Sequence, residues 1–438
     1  MVQLLRLKDE IRHSTFARSL FASALAVRGR LSVDLEERAA RLARAFDLAE
    51  SPILKQRILA SLQKKPGIEN APLWDAVVRC NSRYRKVIAD DPGLSRSILL
   101  KTPSEGGEKG ILLMTFEYNW ARLLTALSET EFRWLNDRYH LVLSTSWSPT
   151  DYAALACAVS RVPGTVYVQS CNYQEIPIIE SFHPRLKCLP TLPCDWINPT
   201  LYQPLPYEQR STDIVMVANW GEFKRHWELF QILAQIPGEL KVVLIGQKEP
   251  GRTQDTIRQL ARSFGVNHHI EIHESIPIHE VAAHQCRAKV SVIMSRREGC
   301  CVAAVESLFA GCALAMREDA HVGPLAYIND QTGSRLRHGH AAADLQALLQ
   351  KTPKLRPHVW AQENLACQVS HAKVNALFKS QSELENRPWT RDIIQPQWRP
   401  HPTYASPEAK DAVRPAYEEL HQFRPDLFPA HLLDRSWK

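Results

Sequence analysis

The chain has 438 residues, 45% of them apolar and 23% charged, a globular composition that at roughly 150 residues per domain fits two or three domains. Its 17 glycines are too few for a collagen or glycine-rich chain, and the apolar run Leu20 to Val27, followed at once by Arg28 and Arg30, falls far short of the roughly 20 residues of a membrane span and makes no convincing secretion signal. The formal charge of +7 is uneven: residues 1–65 hold 13 Lys/Arg against 7 Asp/Glu, so +6 lies there and +1 in the remainder.

In chain order, residues 1–100 read as a helical extension, with Leu31, Leu35, Leu42, Phe46 and Leu48 at helical spacing among Arg38, Arg41 and Arg44. The turn-rich stretch Pro103 to Gly110 ends it. Short apolar runs follow at 110–116, 141–146 and 165–170, with helical stretches at 120–127 and 151–159 between them. Strand, helix, strand at this spacing predicts a parallel sheet, and residues 101–203 form a first Rossmann-like domain. A polar, proline-bearing break at 204–212 introduces a second set, with strands at 213–218, 241–246, 270–274, 289–295 and 313–316. Helices at 224–235, 254–264 and 302–310 lie between them and end on Gly238, Gly265 and Gly311, the residue that helix C-termini prefer. Residues 204–355 make the second Rossmann-like domain. Residues 356–438 read as a helix and a wrapping tail, because the last sixty hold 8 of the 28 prolines and no strand signal. The fold class is therefore α/β, two doubly wound sheets in tandem behind a helical front, with a ligand expected at the strand C-termini.

The ten cysteines, scattered from Cys80 to Cys367 without a C-x-x-C pair, read as reduced thiols of a cytoplasmic protein. The chemistry concentrates in two segments. In Ser295 to Gly311 (SRREGCCVAAVESLFAG) a strand ends, Glu298 and Gly299 turn, and a helix starting near Val302 carries Glu306. Free N–H groups near Cys300, Cys301 and Val302 make a phosphate site, and flanking carboxylates accept from sugar or ribose hydroxyls. By spacing alone, two glutamates eight apart also arise by chance, with Glu306 a solvated helix residue. In Val217 to Phe230 (VANWGEFKRHWELF) a strand is followed by a loop with Gly221 and a helix opened by Lys224 and Arg225. Cations there can stabilise a departing diphosphate, although a solvated helix end is the plainer reading of the pair alone.

The order of these pieces, a lysine at a helix start, a strand ending in Gly246 (VVLIG), then Glu298-Gly299 and Glu306, resembles the C-terminal half of retaining GT-B glycosyltransferases of family 4, the glycosyl transferases group 1 type. The likeness covers roughly residues 186 to 350 and includes Asp195 to Pro204 (DWINPTLYQP), similar to the segment by which that family enters its second domain. It implies a nucleotide-sugar donor in an interdomain cleft, residues 101–203 on the acceptor side, no cofactor and no metal. By that likeness Lys224 contacts the diphosphate, Glu298 stands near the donor sugar and Glu306 holds the ribose hydroxyls, with Arg225, Asn219, Gly221, Gly246, Gly299, Cys300, Cys301 and Val302 lining the donor. Asn219 stands where the family has an arginine, a role that Arg225 or Arg297 would fill. The glycine pair after the first strand is replaced by Glu117 to Trp120, and no histidine closes the strands at 141–146 or 165–170, where Ser148, Gln169 and Asn172 are the polar residues on offer.

The implied function is transfer of a sugar from a nucleotide diphosphate to an acceptor with retention. A sugar-nucleotide epimerase or phosphorylase on the same fold and a degenerate sugar-binding protein are the alternatives. HEVAAH at 279–284, within a stretch that also holds His268, His269 and His273, imitates a metalloprotease motif with one residue too many. Histidines five apart on a helix diverge by about 140°, so these are read as ordinary surface or partly buried residues. Trp147, Trp220 and Trp227 read first as packing residues. The basic front is a solvated face, a partner surface or a patch on anionic lipid, which would make a cytoplasmic enzyme peripheral to the membrane. No nucleic-acid motif accompanies the charge.

Overall fold

The computed structural model describes residues 2–63, 97–398, 402–430 and 433. Any helix predicted over 64–96 lies outside them, as does Cys80. Two compact units result, one of Met1–Ser170, Gln174–Pro193 and His371–Lys438, the other of Cys171–Tyr173 and Cys194–Ser370.

The first unit opens with helices α1 (Val2–His13), α2 (Thr15–Leu31), α3 (Leu35–Leu48) and α4 (Pro52–Gln63). Ser14 and Asp34 cap α2 and α3 by accepting from the N–H groups of Ala17 and Glu37, which supplies partners that a helix start lacks. These helices are part of the unit's core: Phe46 of α3 meets the rings of Tyr152 and Phe182 edge-on at 4.1 and 6.0 Å. The sheet comprises β1 (Ser97–Lys101), β2 (Gly110–Thr115), β3 (Tyr139–Ser144), β4 (Val166–Gln169) and β5 (Leu186–Cys188), in the order β1-β2-β3-β4-β5. All neighbours are parallel except β1, which runs antiparallel to β2. Helices α5 (Glu117–Ala126), α6 (Glu129–Arg138), α7 (Tyr152–Arg161) and α8 (Ile176–Phe182) form the connections. Every residue of β2 and β3 is buried, as expected of parallel strands covered on both faces.

In the second unit β6 (Thr212–Val217) leads to α9 (His226–Leu233), β7 (Lys241–Gly246) to α10 (Gln254–Ser263), and β8 (His269–Glu274) to α11 (Ile278–Cys286). Then β9 (Ala288–Ile293) leads to α12 (Val302–Phe309), followed by β10 (Ala313–Arg317), β11 (Gly333–Leu336) and helices α13 (Ala341–Lys351) and α14 (Pro357–Leu365). The all-parallel sheet runs β11-β10-β9-β6-β7-β8. Counted from its first strand this is the Rossmann order, with the chain reversing direction between β6 and β9. Both units are thus α/β with Rossmann-type sheets.

Helix α15 (Cys367–Leu384) carries the chain back into the first unit, where β12 (Pro396–Trp398), β13 (Pro402–Tyr404) and α16 (Pro407–Phe423) complete it. The predicted strandless tail therefore contains a two-stranded sheet. Its Tyr404 and Tyr417 hydroxyls accept from Leu99 N–H at 3.1 and 3.2 Å, satisfying the outer edge of β1. The unit boundaries fall near residues 194 and 370, against the predicted 204 and 356, because the chain segment 194–203 belongs to the second unit and the tail to the first. Strands β1, β5 and β11 have no counterpart among the predicted strands; β5 and β11 are short and carry Lys187 and Arg335 in their middles.

Candidate functional site

The switch point sets two loops side by side at the C-terminal ends of β6 and β9. The β6 loop is stiffened by its own polar groups. Asn219 accepts from Gly221 N–H at 3.2 Å and donates to Glu249 Oε1 at 2.7 Å, so the residue standing in the family's arginine position is a loop brace. Trp220, fully buried, donates its Nε1–H to Glu274 Oε2 at 2.7 Å. Gly246, at the end of β7, has to be a glycine: a Cβ there would meet the Trp220 ring at 2.7 Å. The tryptophan packs the loop, as its sequence reading held.

The predicted helix start moves by two residues. Lys224 ends a short 3-10 turn, Arg225 adopts the left-handed conformation with φ of 60°, and α9 begins at His226. On the other loop Cys301 is likewise left-handed, φ 42°, immediately before α12. Non-glycine residues rarely take this conformation, which costs roughly 1–2 kcal/mol, and such strain gathers at functional sites. Here it turns both loops so that Lys224 Nζ forms an ion pair with Glu298 Oε1. Burial disfavours the ammonium of Lys224, but the Glu298 carboxylate outweighs it and the pKa stands above its ordinary value. The second oxygen of Glu298, Oε2, is buried and has no hydrogen-bond partner among the described residues. A buried carboxylate oxygen left open costs free energy and is an acceptor waiting for a donor.

Arg225 is buried against the Trp227 ring, 4.6 Å away, and donates to Glu228 Oε2 at 2.8 Å. Burial first, and then the guanidinium groups of Arg317 and Arg296, lower its pKa to about 9. Arg317 pairs with Glu228 and with Asp319 at 2.9 Å, and Arg296 reaches Asp319 at 2.6 Å. Burial raises the Asp319 pKa, yet its bonds to Arg317 and Arg296 prevail and hold it well below the carboxylate range. Three arginines held by two carboxylates thus form a cationic bank around Arg225. Arg317 and Arg296 were missed in the sequence. Arg317 is the last residue of a parallel strand, the place where such groups reach a crevice, and Arg296 directly follows the end of the next run. Arg297, which with Arg225 was expected to fill the arginine's role, forms a backbone bridge with His321.

Gly299, Cys300 and Cys301 lie between Glu298 and α12, Val302 is the first residue of that helix, and Glu306 sits half-buried on it. Burial pushes the thiols of Cys300 and Cys301 up, so neither is a poised nucleophile. The nine cysteines among the described residues are thiols rather than disulfides. His226 is buried, and neither of its ring nitrogens has a hydrogen-bond partner among the described residues. Burial, with Arg252 and Lys224 nearby, lowers its pKa to about 3. Of the polar residues noted in the first half, Asn172 belongs to the second unit and lies 3.4 Å from His321 Nδ1, whereas Ser148 and Gln169 stay in the first. Asp195, in the segment entering the second unit, accepts from the Tyr173 hydroxyl at 3.1 Å and from Tyr327.

Fold and crevice together define a two-unit α/β protein whose second unit carries a buried cation, a carboxylate and a helix start at a Rossmann-type switch point. Residues 202–351, which contain all of these, match the sequence family Glycosyl transferases group 1. No curated protein matches the chain. Among solved structures, sucrose-phosphate synthase from Thermosynechococcus elongatus is similar at 16% identity, over 63% of this chain and 74% of that one, with a TM-score of 0.48. The pneumococcal O-GlcNAc transferase GtfA, solved with UDP and GlcNAc, shares 13% identity over 60% of this chain and 55% of its own, TM-score 0.43. HepE from Anabaena, solved with UDP and glucose, shares 14% over 58% and 76%, TM-score 0.42.

Proposed function

We propose that the protein is a retaining GT-B glycosyltransferase of the family 4 type, taking a sugar from a nucleoside diphosphate to an acceptor hydroxyl. The observation that carries the reading is the meeting of Lys224 and Glu298 at the β6/β9 switch point, beside the start of α12 and within the segment that matches glycosyl transferases group 1. In this reading the bond from the anomeric carbon to the diphosphate oxygen breaks, and its electron pair leaves with the diphosphate. Lys224, the N–H groups at the start of α12 and the arginine bank take up that charge. The acceptor oxygen bonds to the anomeric carbon from the same face and loses its proton to the departing diphosphate. Glu298 orients the sugar through Oε2, and Glu306 receives the ribose hydroxyls. No metal is invoked, since the cations of the chain do the work that a divalent ion would otherwise do.

Thermal shift with UDP, GDP and ADP tests the donor site. One nucleotide should raise the melting temperature of the wild type, and Glu306→Ala should weaken its binding about tenfold, the loss of one or two hydrogen bonds. Indifference to all three would end the proposal.

Helices α1 and α2 expose large apolar side chains at helical spacing, Leu4, Leu7 and Ile11 on one and Phe16, Leu20, Val27 and Leu31 on the other, with Phe16 79% exposed. On α2 this stripe lies opposite the buried Ala22, Ala26 and Gly29. With a net +6 over residues 1–65, it supports peripheral docking on an anionic membrane from the cytoplasmic side. Among the described residues no helix is long and apolar enough to cross one.

A further inference from the structure

The edge strand β8 carries Glu271 and His273 two residues apart, and therefore on the same face of the sheet. His273 Nε2 lies 2.7 Å from Glu271 Oε1. After β8 the chain turns at Ser275, which has φ of 58°, and α11 runs back along the strand. That return sets His284 against the pair: the His273 and His284 rings are 4.4 Å apart between centroids, at 43°. One ligand atom from each of Glu271, His273 and His284 lies within 4.8 Å of the other two.

We propose that Glu271, His273 and His284 form a zinc site that ties the outer strand of the second sheet to helix α11. Two imidazoles and a carboxylate are a donor set suited to Zn2+, which bonds nitrogen and carboxylate oxygen at about 2.0–2.2 Å and so needs its ligand atoms roughly 3.4 Å apart. Modest side-chain rotation closes 4.8 Å to that spacing and opens the Glu271 to His273 hydrogen bond to it. The three residues are half-buried, so water completes the tetrahedron from the open side. His279, 73% exposed on the far turn of α11, stays out of the cluster, as its spacing from His284 requires.

The site also has a structural reason to exist. Glu274, the residue after His273, accepts from Trp220 Nε1 and from Gln254 N–H at 2.7 and 2.8 Å, so β8 braces the loop that leads to Lys224. An edge strand has a neighbour on one side only, and a metal bridge to α11 supplies a second anchor.

The test uses the full chain without a histidine tag. Titration calorimetry with ZnCl2 should give one equivalent with micromolar affinity, and saturating zinc should raise the melting temperature by about 3 °C or more. Co2+ in place of zinc should give the visible absorption of a tetrahedral site. His284→Ala and His273→Ala should weaken zinc binding at least tenfold, while His279→Ala should bind like the wild type. Circular dichroism of the metal-free variants checks the fold, and Glu271→Gln, which keeps the hydrogen bond to His273, serves if a histidine variant fails to fold. Absence of saturable binding, or equal binding by wild type and all variants that fold, would overturn the proposal.

Discussion

Each sheet places a buried glutamate just beyond a strand end, and the two are used differently. In the first unit Glu117 follows β2, fully buried, and both its oxygens are engaged by Ser146, Oε1 by the N–H at 3.0 Å and Oε2 by the hydroxyl. In the second unit Glu298 is nearly as buried, but its partner is a lysine and its other oxygen is open. One carboxylate holds a loop in place; the other is held in place by the protein and keeps an acceptor free. Burial therefore does not distinguish these two carboxylates, whereas hydrogen-bond saturation does.

Substitution should split the pair cleanly. Glu298→Gln keeps shape and a bond to Lys224 while removing the charge that offsets that lysine's burial, and should lower turnover of the folded protein about 10²-fold alongside a loss of stability. Glu117→Ala strands the Ser146 N–H and should cost about 1–3 kcal/mol of stability, with turnover of the folded fraction preserved. If Glu117→Ala lowered turnover of the folded protein and Glu298→Gln left it unchanged, the contrast would be reversed and the site would lie on the first sheet.

The same contrast explains what could be read in the sequence. The apolar runs that became β2, β3, β6, β7, β9 and β10 are long and uninterrupted because both faces are covered, and each was found to within one or two residues at most ends; the edge strand β8, in which Glu271 and His273 alternate with isoleucines, was found as well. Edge strands lack that signature: β11 needs only partial cover and β1 is closed by tyrosines some 300 positions away. Lys224 and Glu298 were visible as residues at strand-to-helix turns. Their ion pair was not, and neither was the arginine bank, because Glu228, Arg296, Arg317 and Asp319 meet through tertiary packing that no local spacing encodes. Helical periodicity rightly separated His279 from His284. It was silent on His273, which arrives from a strand.

A second way to sharpen the comparison is acid. Each unit holds a buried histidine whose ring burial keeps neutral: His140 in the first, lowered to about 4, and His226 in the second, lowered to about 3. A ring that ionises near 6.5 when unfolded binds more protons in that state than in the folded one between these values. Stability attributable to neutral burial is therefore full above pH 6.5 and is lost as pH falls toward the folded pKa. For His226 the loss between pH 7 and 5 should be about 2 kcal/mol. His226→Leu, close in volume, should flatten the acid limb of the urea midpoint for the second unit and leave the His140 contribution standing. An unchanged acid limb would mean that His226 gains a partner in solution.

The smallest effect separates two uses of positive charge. In the second unit Arg225 and Arg317 are buried and paired to Glu228; in the first, Arg28 and Arg30 of α2 are exposed beside the apolar stripe. Arginines paired to carboxylates inside a fold are poorly screened, whereas surface charges lose their reach at high salt. Flotation with vesicles should therefore respond to both lipid and salt. Binding to vesicles with 30% anionic lipid should exceed binding to neutral ones about tenfold at low salt and fall toward the neutral level in 0.5 M NaCl. The triple variant Phe16→Ser, Leu20→Ser, Leu31→Ser should lose flotation even at low salt, because attraction without insertion gives only weak adhesion, while nucleotide stabilisation stays as in the wild type. Light scattering decides the competing use of the stripe: a dimer that the triple variant abolishes, without vesicle binding by the wild type, would assign it to a second copy of the chain.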